Sequence, residues 1–357
     1  MKKWITTLLL ALSVSALLVG CKKDTTEEEP KTEKQEVKKD THEGEAKSLL
    51  TGEWIDESLV NKRPVAVMIN NIEVALPQYG TEAADIIYEC PVEGGLTRMM
   101  AIYQDYSELE KIGSVRSCRL YFPQFANEFN AIYVHFGQAV YAEPYLNSSV
   151  DNINGLVMEK ECFTRDKNRK KPHNAFISGE GIDKGIEKLG YDTELSAKYS
   201  SGHYQFAADD AEVQLDGDDA VVVQPGYAVD KPWFVYDSKK GVYKRYEYGE
   251  EQIDKATENQ LTFKNILIQC CKWNYEEDGK YLNINTTSGG NGYYITNGKV
   301  IPVTWKKAGD GEPARYYDTS GNEITLNQGK TWVCVVQDTY ADKISFYGSE
   351  EEYEAAN

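Results

Sequence analysis

Six cationic side chains are concentrated between residues 89 and 178 of a 357-residue chain whose formal net charge is −18. They are Arg98, Arg116, Arg119, His135, Arg165 and His173. Arginine and protonated histidine bind phosphate or carboxylate groups through charge-assisted hydrogen bonds. We therefore predict that this segment forms an anion-binding cleft, with Ser117 and Asn174 as further ligand-binding residues.

The centre of the segment is Gly113-Ser114-Val115-Arg116-Ser117-Cys118-Arg119. The apolar residues after it have helical spacing, with Ser117 in the position of an N-cap and a helix expected over residues 123–130. The start of a helix carries partial positive charge, so two arginines there are unfavourable unless an anion binds. The alternative is that both arginines form ion pairs with carboxylates elsewhere in the fold.

Glu93 and His135 are the candidates for acid–base catalysis. Glu93 precedes Gly94-Gly95, where a backbone can approach a ligand closely. His135 ends a predicted strand, and open α/β sheets bind ligands at that edge. The alternative for His135 is a buried, hydrogen-bonded structural residue. The basic run over residues 165–173 is either a solvated loop or a flap over the anion.

Other catalytic and metal-binding motifs are absent from the sequence, which has no G-x-S-x-G, S-x-x-K, Walker or H-E-x-x-H motif. Zinc needs clustered Cys or His residues at short spacings, and the adjacent Cys270-Cys271 is the one such pair in the sequence. Neighbouring residues of a strand point to opposite faces, so this pair is a poor chelate. We therefore expect no metal site, and we expect no other cofactor. Cys118 is either a thiolate activated by the arginines or a small buried apolar residue. We expect mostly buried thiols and leave disulfides open for Cys90, Cys118, Cys162, Cys270, Cys271 and Cys334.

The N-terminus has the features of a secretory signal, with Lys2-Lys3 before an apolar run that ends at Leu18-Val19-Gly20-Cys21. This ending resembles a bacterial lipobox, in which Cys21 becomes the diacylated N-terminus; the alternative is an ordinary signal peptide. Two acyl chains suffice for stable anchoring. We therefore predict a signal peptide over residues 1–20 and a membrane-lipid anchor on the outer face of the cytoplasmic membrane of a bacterium, with a Gram-positive cell expected.

Residues 21–49 are rich in Lys and Glu and poor in apolar residues, so we predict a disordered tether. Short apolar runs interleaved with helical segments then predict an α/β or α+β domain over residues 50–203. Period-two patterns and turns such as Asn297-Gly298 predict a β-rich domain over residues 204–345, followed by a frayed acidic tail over residues 346–357. Trp305 and Trp332 are predicted as packing residues or as a carbohydrate-stacking face.

Several motifs in fixed order resemble the YerB-like lipoprotein family, which contains the N- and C-terminal domains of unknown function 3048. The resemblance lies in residues 63–71, 88–89, 93–98, 113–117, 133–135, 165–174, 303–307 and 327–332. The chain departs from the family at Ser114 and Cys118, where we expect Pro and Ala. The resemblance implies an envelope lipoprotein with an α/β N-terminal domain and a β-rich C-terminal domain, and it implies no activity.

Three functional classes are left open by the sequence. The favoured one is a module that binds a phosphate-, pyrophosphate- or carboxylate-bearing envelope ligand. The second is an enzyme acting on a phosphate or glycosyl bond of a cell-wall precursor or polymer, in which Arg116 and Arg119 neutralise developing charge. The third is a scaffold that docks onto cell-wall or secretion machinery, with an envelope protein as its partner, through the β-rich domain. The net charge of −18 argues against nucleic acid as a partner.

Overall fold

The computed structural model describes residues 41–357, so the predicted signal peptide, Cys21 and the predicted tether up to residue 40 lie outside the described residues. Order begins earlier than the sequence predicts, because Glu45–Lys47 pairs antiparallel with Trp54–Asp56. His42 stacks on the ring of Trp54, with 4.0 Å between ring centroids. In the part of the chain that the structure covers, no helix has the length and apolar character needed to cross a membrane.

The α-helices of the described residues are short. They are α1 Glu57–Val60, α2 Tyr121–Asn127, α3 Glu143–Leu146, α4 Gly155–Cys162, α5 Gly179–Leu189 and α6 Glu350–Ala356. Short 3-10 helices lie at Glu73–Ala75, Glu93–Gly95, Val140–Ala142, Ala197–Tyr199 and Asp338–Lys343. The longest helix, α5, follows its local signals closely: Ser178 accepts a hydrogen bond from the N–H of Gly181, and Gly190 ends the helix in a left-handed conformation.

The strands fall into an N-terminal and a C-terminal group. The first group is β1 Glu45–Lys47, β2 Trp54–Asp56, β3 Val65–Asn70, β4 Ile86–Pro91, β5 Thr97–Tyr103, β6 Ile112–Gly113, β7 Ile132–His135, β8 Asn152–Asn154, β9 Phe163–Arg165 and β10 Ala175–Ile177. The second group is β11 Asp218–Asp219, β12 Val222–Gln224, β13 Trp233–Asp237, β14 Val242–Glu247, β15 Glu250–Glu251, β16 Thr262–Phe263, β17 Asn265–Cys271, β18 Trp273–Tyr275, β19 Leu282–Ile284, β20 Gly290–Thr296, β21 Lys299–Lys306, β22 Arg315–Tyr317, β23 Thr331–Gln337 and β24 Ser345–Tyr347.

One mixed sheet of eleven strands runs through both groups, in the order β11-β21-β20-β17-β23-β4-β5-β3-β7-β8, with β22 beside β21. The two groups meet where β23 lies parallel to β4, with Cys334 opposite Glu89. A second sheet, β15-β14-β13-β12-β24 with β16 beside β14, belongs to the C-terminal part. The predicted α/β N-terminal part and β-rich C-terminal part are both confirmed, and a shared sheet joins them.

Strands β3 and β4 are buried at every position, which explains why their sequences are continuous apolar runs rather than alternating patterns. Trp305 and Trp332 are 1% and 0% exposed, so they are packing residues and form no carbohydrate-stacking face. The acidic C-terminus is also more ordered than predicted. Strand β24 pairs with β12, Ser349 caps α6, and Tyr353 of this helix stacks on Trp233.

Candidate functional site

The segment around Arg116 is held at the ends of β3 and β7 by main-chain hydrogen bonds. The N–H of Asn70 donates to the carbonyl of Ser114 at 2.9 Å, and the N–H of Arg116 donates to the carbonyl of Met68 at 3.3 Å. On its other side, the carbonyl of Arg116 accepts from the N–H of Phe136 at 3.0 Å. Arg116 is thus fixed in a loop between two strands.

The predicted helix cap at Ser117 is wrong. Helix α2 begins at Tyr121, is seven residues long and has no side-chain cap. Ser117 instead accepts hydrogen bonds from Arg98. Nη1 of Arg98 donates to the carbonyl of Ser117 at 2.6 Å and contacts its Oγ at 3.3 Å. The expected contribution of a helix N-terminus to anion binding is therefore lost, and the site depends on the arginine side chains.

The ion pairs within residues 41–357 involve five of the eight arginines of the chain, namely Arg63, Arg119, Arg165, Arg245 and Arg315. Arg98 and Arg116 have no carboxylate partner among these residues. Both are half-buried rather than fully solvated. Two desolvated guanidinium groups without an ion-pair partner in the described part of the chain are unusual in so acidic a protein, since such groups are normally paired.

The cations of this site repel one another. Burial, followed by the positive charges of Arg119 and Arg116, lowers the pKa of Arg98 to about 10. Burial and Arg119 lower the pKa of Arg116, and burial and Arg116 lower the pKa of His173. A bound anion would remove this repulsion, because each cation would then gain an opposite charge.

His173 is joined to the site by Asn70, a residue that the sequence analysis did not select. Nδ2 of Asn70 lies 2.9 Å from Nδ1 of His173. In this arrangement the amide donates to Nδ1, and the ring proton of neutral His173 is on Nε2, which can donate to a ligand. The sequence did contain a positional signal, because Asn70 is the polar last residue of the otherwise apolar strand β3.

Arg119 forms an ion pair with Glu93. Its Nε donates to Oε1 and Oε2 of Glu93 at 2.7 and 3.0 Å, and its Nη2 also contacts Oε2. The N–H of Leu282 donates to Oε1 of the same carboxylate at 2.8 Å. Burial alone would raise the pKa of Glu93, but these hydrogen bonds lower it. Glu93 is therefore an ionised, fully engaged carboxylate and is poorly suited to acid–base catalysis.

Both ring nitrogens of His135 have hydrogen-bond partners within the protein interior. The residue is 0% exposed, with Nδ1 2.9 Å from the carbonyl of Gly137 and Nε2 3.1 Å from Oδ1 of Asn152. Burial lowers its pKa, against the effect of both hydrogen bonds. His135 is therefore a buried, hydrogen-bonded structural residue, because strand β7 is covered on both faces.

The side chains of Arg165 and Asn174 form contacts within and beside the basic loop. Arg165 donates to Oε1 of Glu159 at 2.7 Å and to Oδ1 of Asn174 at 2.9 Å, and it stacks on Phe136. Arg169 in the same loop donates to the carbonyls of Ala75 and Pro77 at 2.6 and 2.7 Å. The loop is thus fastened to the N-terminal part, which argues against a freely moving flap.

The six cysteines of the described part are all buried, free thiols. This agrees with the expectation of mostly buried thiols. Burial raises the pKa of Cys118 to about 12, although Arg119 and Arg98 act in the opposite direction. Cys118 is therefore a small packing residue and not an activated thiolate.

The α/β part and the β-rich part of this fold each match a known protein domain. The chain belongs to the family described as Protein of unknown function (DUF3048), whose N-terminal domain matches residues 50–192 and whose C-terminal domain matches residues 221–333. This confirms the resemblance found in the sequence.

Two individual comparisons agree with this assignment. The chain is 33% identical to YerB of Bacillus subtilis (strain 168) over 352 residues, which cover 97% of this chain and 98% of that protein. It is also similar to the crystal structure of the YerB protein from Bacillus subtilis, with a TM-score of 0.74 and 31% identity. That match covers 85% of this chain and 99% of the other.

Proposed function

We propose that this protein is a lipid-anchored envelope protein that binds an anionic ligand between Arg98 and Arg116. The ligand class is a phosphate-, pyrophosphate- or carboxylate-bearing molecule of the cell envelope. The observation that carries the proposal is the presence of two neighbouring, half-buried arginines without a carboxylate partner in residues 41–357 of a chain whose net charge is −18.

The groups around the two arginines suit an anion. Arg98 uses Nη1 on the carbonyl of Ser117, which orients the guanidinium group and leaves its other N–H donors for a ligand. His173 adds an Nε2–H donor, held in place by Asn70. Guanidinium groups bind phosphate and carboxylate through paired hydrogen bonds, so a pyrophosphate or a dicarboxylate could engage both arginines at once.

Binding without turnover is the better supported function. A general acid or base must have a proton-transfer group within hydrogen-bond reach of the ligand. The carboxylate of Glu93 is occupied by Arg119 and Leu282, and His135 is enclosed in the protein interior. The enzyme alternative therefore loses both of its predicted acid–base residues.

The anchor part of the proposal rests on Cys21 and on the relative from Bacillus subtilis, whose name contains the word lipoprotein. Diacylated Cys21 would hold the folded part at the outer face of the cytoplasmic membrane, with residues 22–40 as a charged spacer. Ligands within reach of such a site are lipid headgroups and cell-wall components that carry phosphate or carboxylate groups.

Isothermal titration of the full-length protein in detergent with pyrophosphate, phosphate and citrate tests the binding function. Wild type is expected to bind at least one of these anions, and Arg98→Gln and Arg116→Gln are each expected to weaken binding at least tenfold. Lys160→Gln removes an exposed positive charge on α4 and serves as the matched control. Equal affinity in wild type and both arginine variants would refute the site.

A further inference from the structure

A cavity of about 360 Å³ lies where the N-terminal and C-terminal parts of the chain share one sheet. Val92 lines it just beyond the end of β4, and Gln337 lines it at the end of β23, the strand parallel to β4. Strand β17 is parallel to β23 on its other side, and Trp273, two residues beyond the end of β17, also lines the cavity. The carboxyl ends of three adjacent parallel strands therefore meet at this cavity.

The strand connections open a crevice at this point of the sheet. The strand that follows β4 in the chain is β5, and the next strand of this sheet after β17 is β20. Strands β5 and β20 lie on opposite sides of β23, so the chain leaves β4 and β17 in opposite directions. In open α/β sheets, ligands bind in the crevice that such a divergence forms beyond the carboxyl ends of the strands. The location therefore indicates a ligand, and the lining residues decide its chemistry.

Three aromatic side chains form one wall of the cavity: Trp273, Tyr275 and Tyr340. The rings of Trp273 and Tyr340 are stacked with 6.2 Å between their centroids, and Tyr275 meets Trp273 edge-on at 5.7 Å. Tyr275 and Tyr340 are 51% and 47% exposed, whereas every other Phe, Tyr and Trp in residues 41–357 is buried or half-buried. Apolar residues exposed singly are ordinary, but a contiguous group that lines a cavity indicates a ligand that covers it.

The polar groups of the lining favour an uncharged ligand. Among the described residues that line the cavity, Lys343 is the one charged residue, and its Nζ lies 3.5 Å from a carboxylate oxygen of Asp342. Gln337 is half-buried in the lining, and its amide can both donate and accept hydrogen bonds. The two exposed tyrosines add hydroxyl groups with the same property. Aromatic faces beside neutral donors and acceptors fit a ligand that has an apolar face and a rim of hydroxyl groups.

We propose that this cavity binds a pyranose unit of a neutral glycan, stacked on the rings of Tyr275 and Tyr340 and hydrogen-bonded to the amide of Gln337. The C–H groups of a pyranose ring form an apolar face, and its hydroxyl groups lie around the edge, where they both donate and accept. The cavity volume lies within the range of roughly 300–1,000 Å³ that ligand pockets have. Neighbouring units of the glycan extend out of the cavity into solvent.

A polyproline segment is the competing ligand, because proline-rich peptides also bind in aromatic-lined grooves. A polyproline helix makes no internal hydrogen bonds, so its carbonyl groups need donors from the groove. The indole N–H of Trp273 already donates to Oγ1 of Thr339 at 2.8 Å and is not free for such a carbonyl. A glycan brings its own hydroxyl donors and does not depend on that N–H. The glycan site is independent of the arginine site, and either can fail without the other.

The probes for this proposal are tri-N-acetylchitotriose, cellotriose and maltotriose, titrated into the full-length protein in a detergent without a sugar head group. Octaproline is run in parallel. At least one trisaccharide is expected to bind saturably, with saturation-transfer NMR showing contact between its ring C–H protons and the protein, whereas octaproline does not bind. Tyr275→Ala and Tyr340→Ala are each expected to weaken trisaccharide binding at least fivefold. Tyr317→Ala removes a half-buried tyrosine of β22 that does not line the cavity, and it is expected to bind as wild type does.

Three results would overturn the proposal. None of the trisaccharides binds at millimolar concentration, or Tyr275→Ala, Tyr340→Ala and Tyr317→Ala all have the affinity of wild type, which places the glycan elsewhere. Binding of octaproline that Tyr340→Ala abolishes would assign the cavity to a proline-rich peptide instead. If the two cavity variants do not fold, Gln337→Leu removes the amide without changing charge and is expected to weaken trisaccharide binding several-fold; unchanged affinity in that variant would also contradict the proposal.

Discussion

Asn70 and Arg98 lie directly opposite each other in the antiparallel register of β3 and β5. Asn70 orients His173 through a 2.9 Å contact, and Arg98 is fixed on the carbonyl of Ser117 at 2.6 Å. This pair of opposite residues therefore brings together Ser117 and His173, which lie in other segments of the chain. The arginine site depends on this register, because a shift of either strand by one residue would turn its side chain to the other face of the sheet.

The arginines of this site should differ in their effect on stability. Arg119→Gln breaks a partly buried, multiply hydrogen-bonded pair with Glu93, so we expect it to lower the free energy of unfolding by about 3 kcal/mol. Arg98→Gln and Arg116→Gln relieve repulsion between cations, so we expect changes within about 1 kcal/mol. Urea unfolding of the three variants measures the difference. Equal, severe destabilisation by all three would show that Arg98 and Arg116 also have structural partners.

Glu247 should make wild-type stability depend on pH. Its pKa is raised to about 7 in the folded protein from an ordinary value of 4.5, chiefly by burial. Between these values the folded state binds more protons than the unfolded state, so stability is present at low pH and is lost as pH rises through 7. Relative to Glu247→Gln, wild type should lose about 3 kcal/mol between pH 4.5 and 8.

Denaturant unfolding of wild type and Glu247→Gln across this pH range provides the test. Glu89, Asp230 and Arg245 interact with Glu247 and are common to both proteins, so their own titration cancels to first order in the comparison. Parallel curves for the two proteins would mean that Glu247 keeps an ordinary pKa in the folded state.

Glu128 should depend on Lys307 for its burial. Both side chains are 0% exposed, and Nζ of Lys307 lies 2.8 Å from Oε1 of Glu128, while His203 and the N–H of Ala314 contact Oε2 at 2.8 and 3.0 Å. Lys307→Met leaves the carboxylate without its cation and should cost about 3–5 kcal/mol. Glu128→Gln combined with Lys307→Met should recover part of this loss in the same unfolding assay. A Lys307→Met variant as stable as wild type would contradict the importance of the pair.

Cys21→Ala should release the protein from the membrane, because the predicted anchor depends on that sulfur atom. Detergent-phase partitioning and electrophoretic mobility report the lipid. Cys162→Ala, at a buried free thiol of the folded part, is the control and should partition as wild type does. Retention of Cys21→Ala in the detergent phase would contradict the prediction that a lipid on Cys21 anchors the protein.

Local signals in the sequence predict local structure well here. Ser178 and Gly190 mark the cap and the end of α5, and Asn297-Gly298 forms the turn between β20 and β21, with both residues at positive φ. Each of these features depends on residues within a few positions of one another. The parallel pairing of β23 with β4 has no such signal, because it joins segments that are far apart in the sequence.

The arginine site also depends on long-range contacts that the sequence does not reveal. Sequence analysis selected a cationic segment, but composition cannot tell a paired arginine from one without a partner. Arg119 and Arg116 are three residues apart, yet only Arg119 finds a carboxylate, because the turn that carries Glu93 faces it in the fold. His135 illustrates a second limit, since a continuous apolar strand does not reveal which of its polar residues is covered.

A crystal structure of the protein soaked with pyrophosphate tests the anion site most directly. We expect a phosphate group bridging Arg98 and Arg116, with its oxygen atoms about 2.7–3.2 Å from nitrogen atoms of both guanidinium groups and Nε2 of His173 turned towards it. A structure in which both guanidinium groups are paired with carboxylates of the protein itself, and pyrophosphate is bound elsewhere or not at all, would contradict this account.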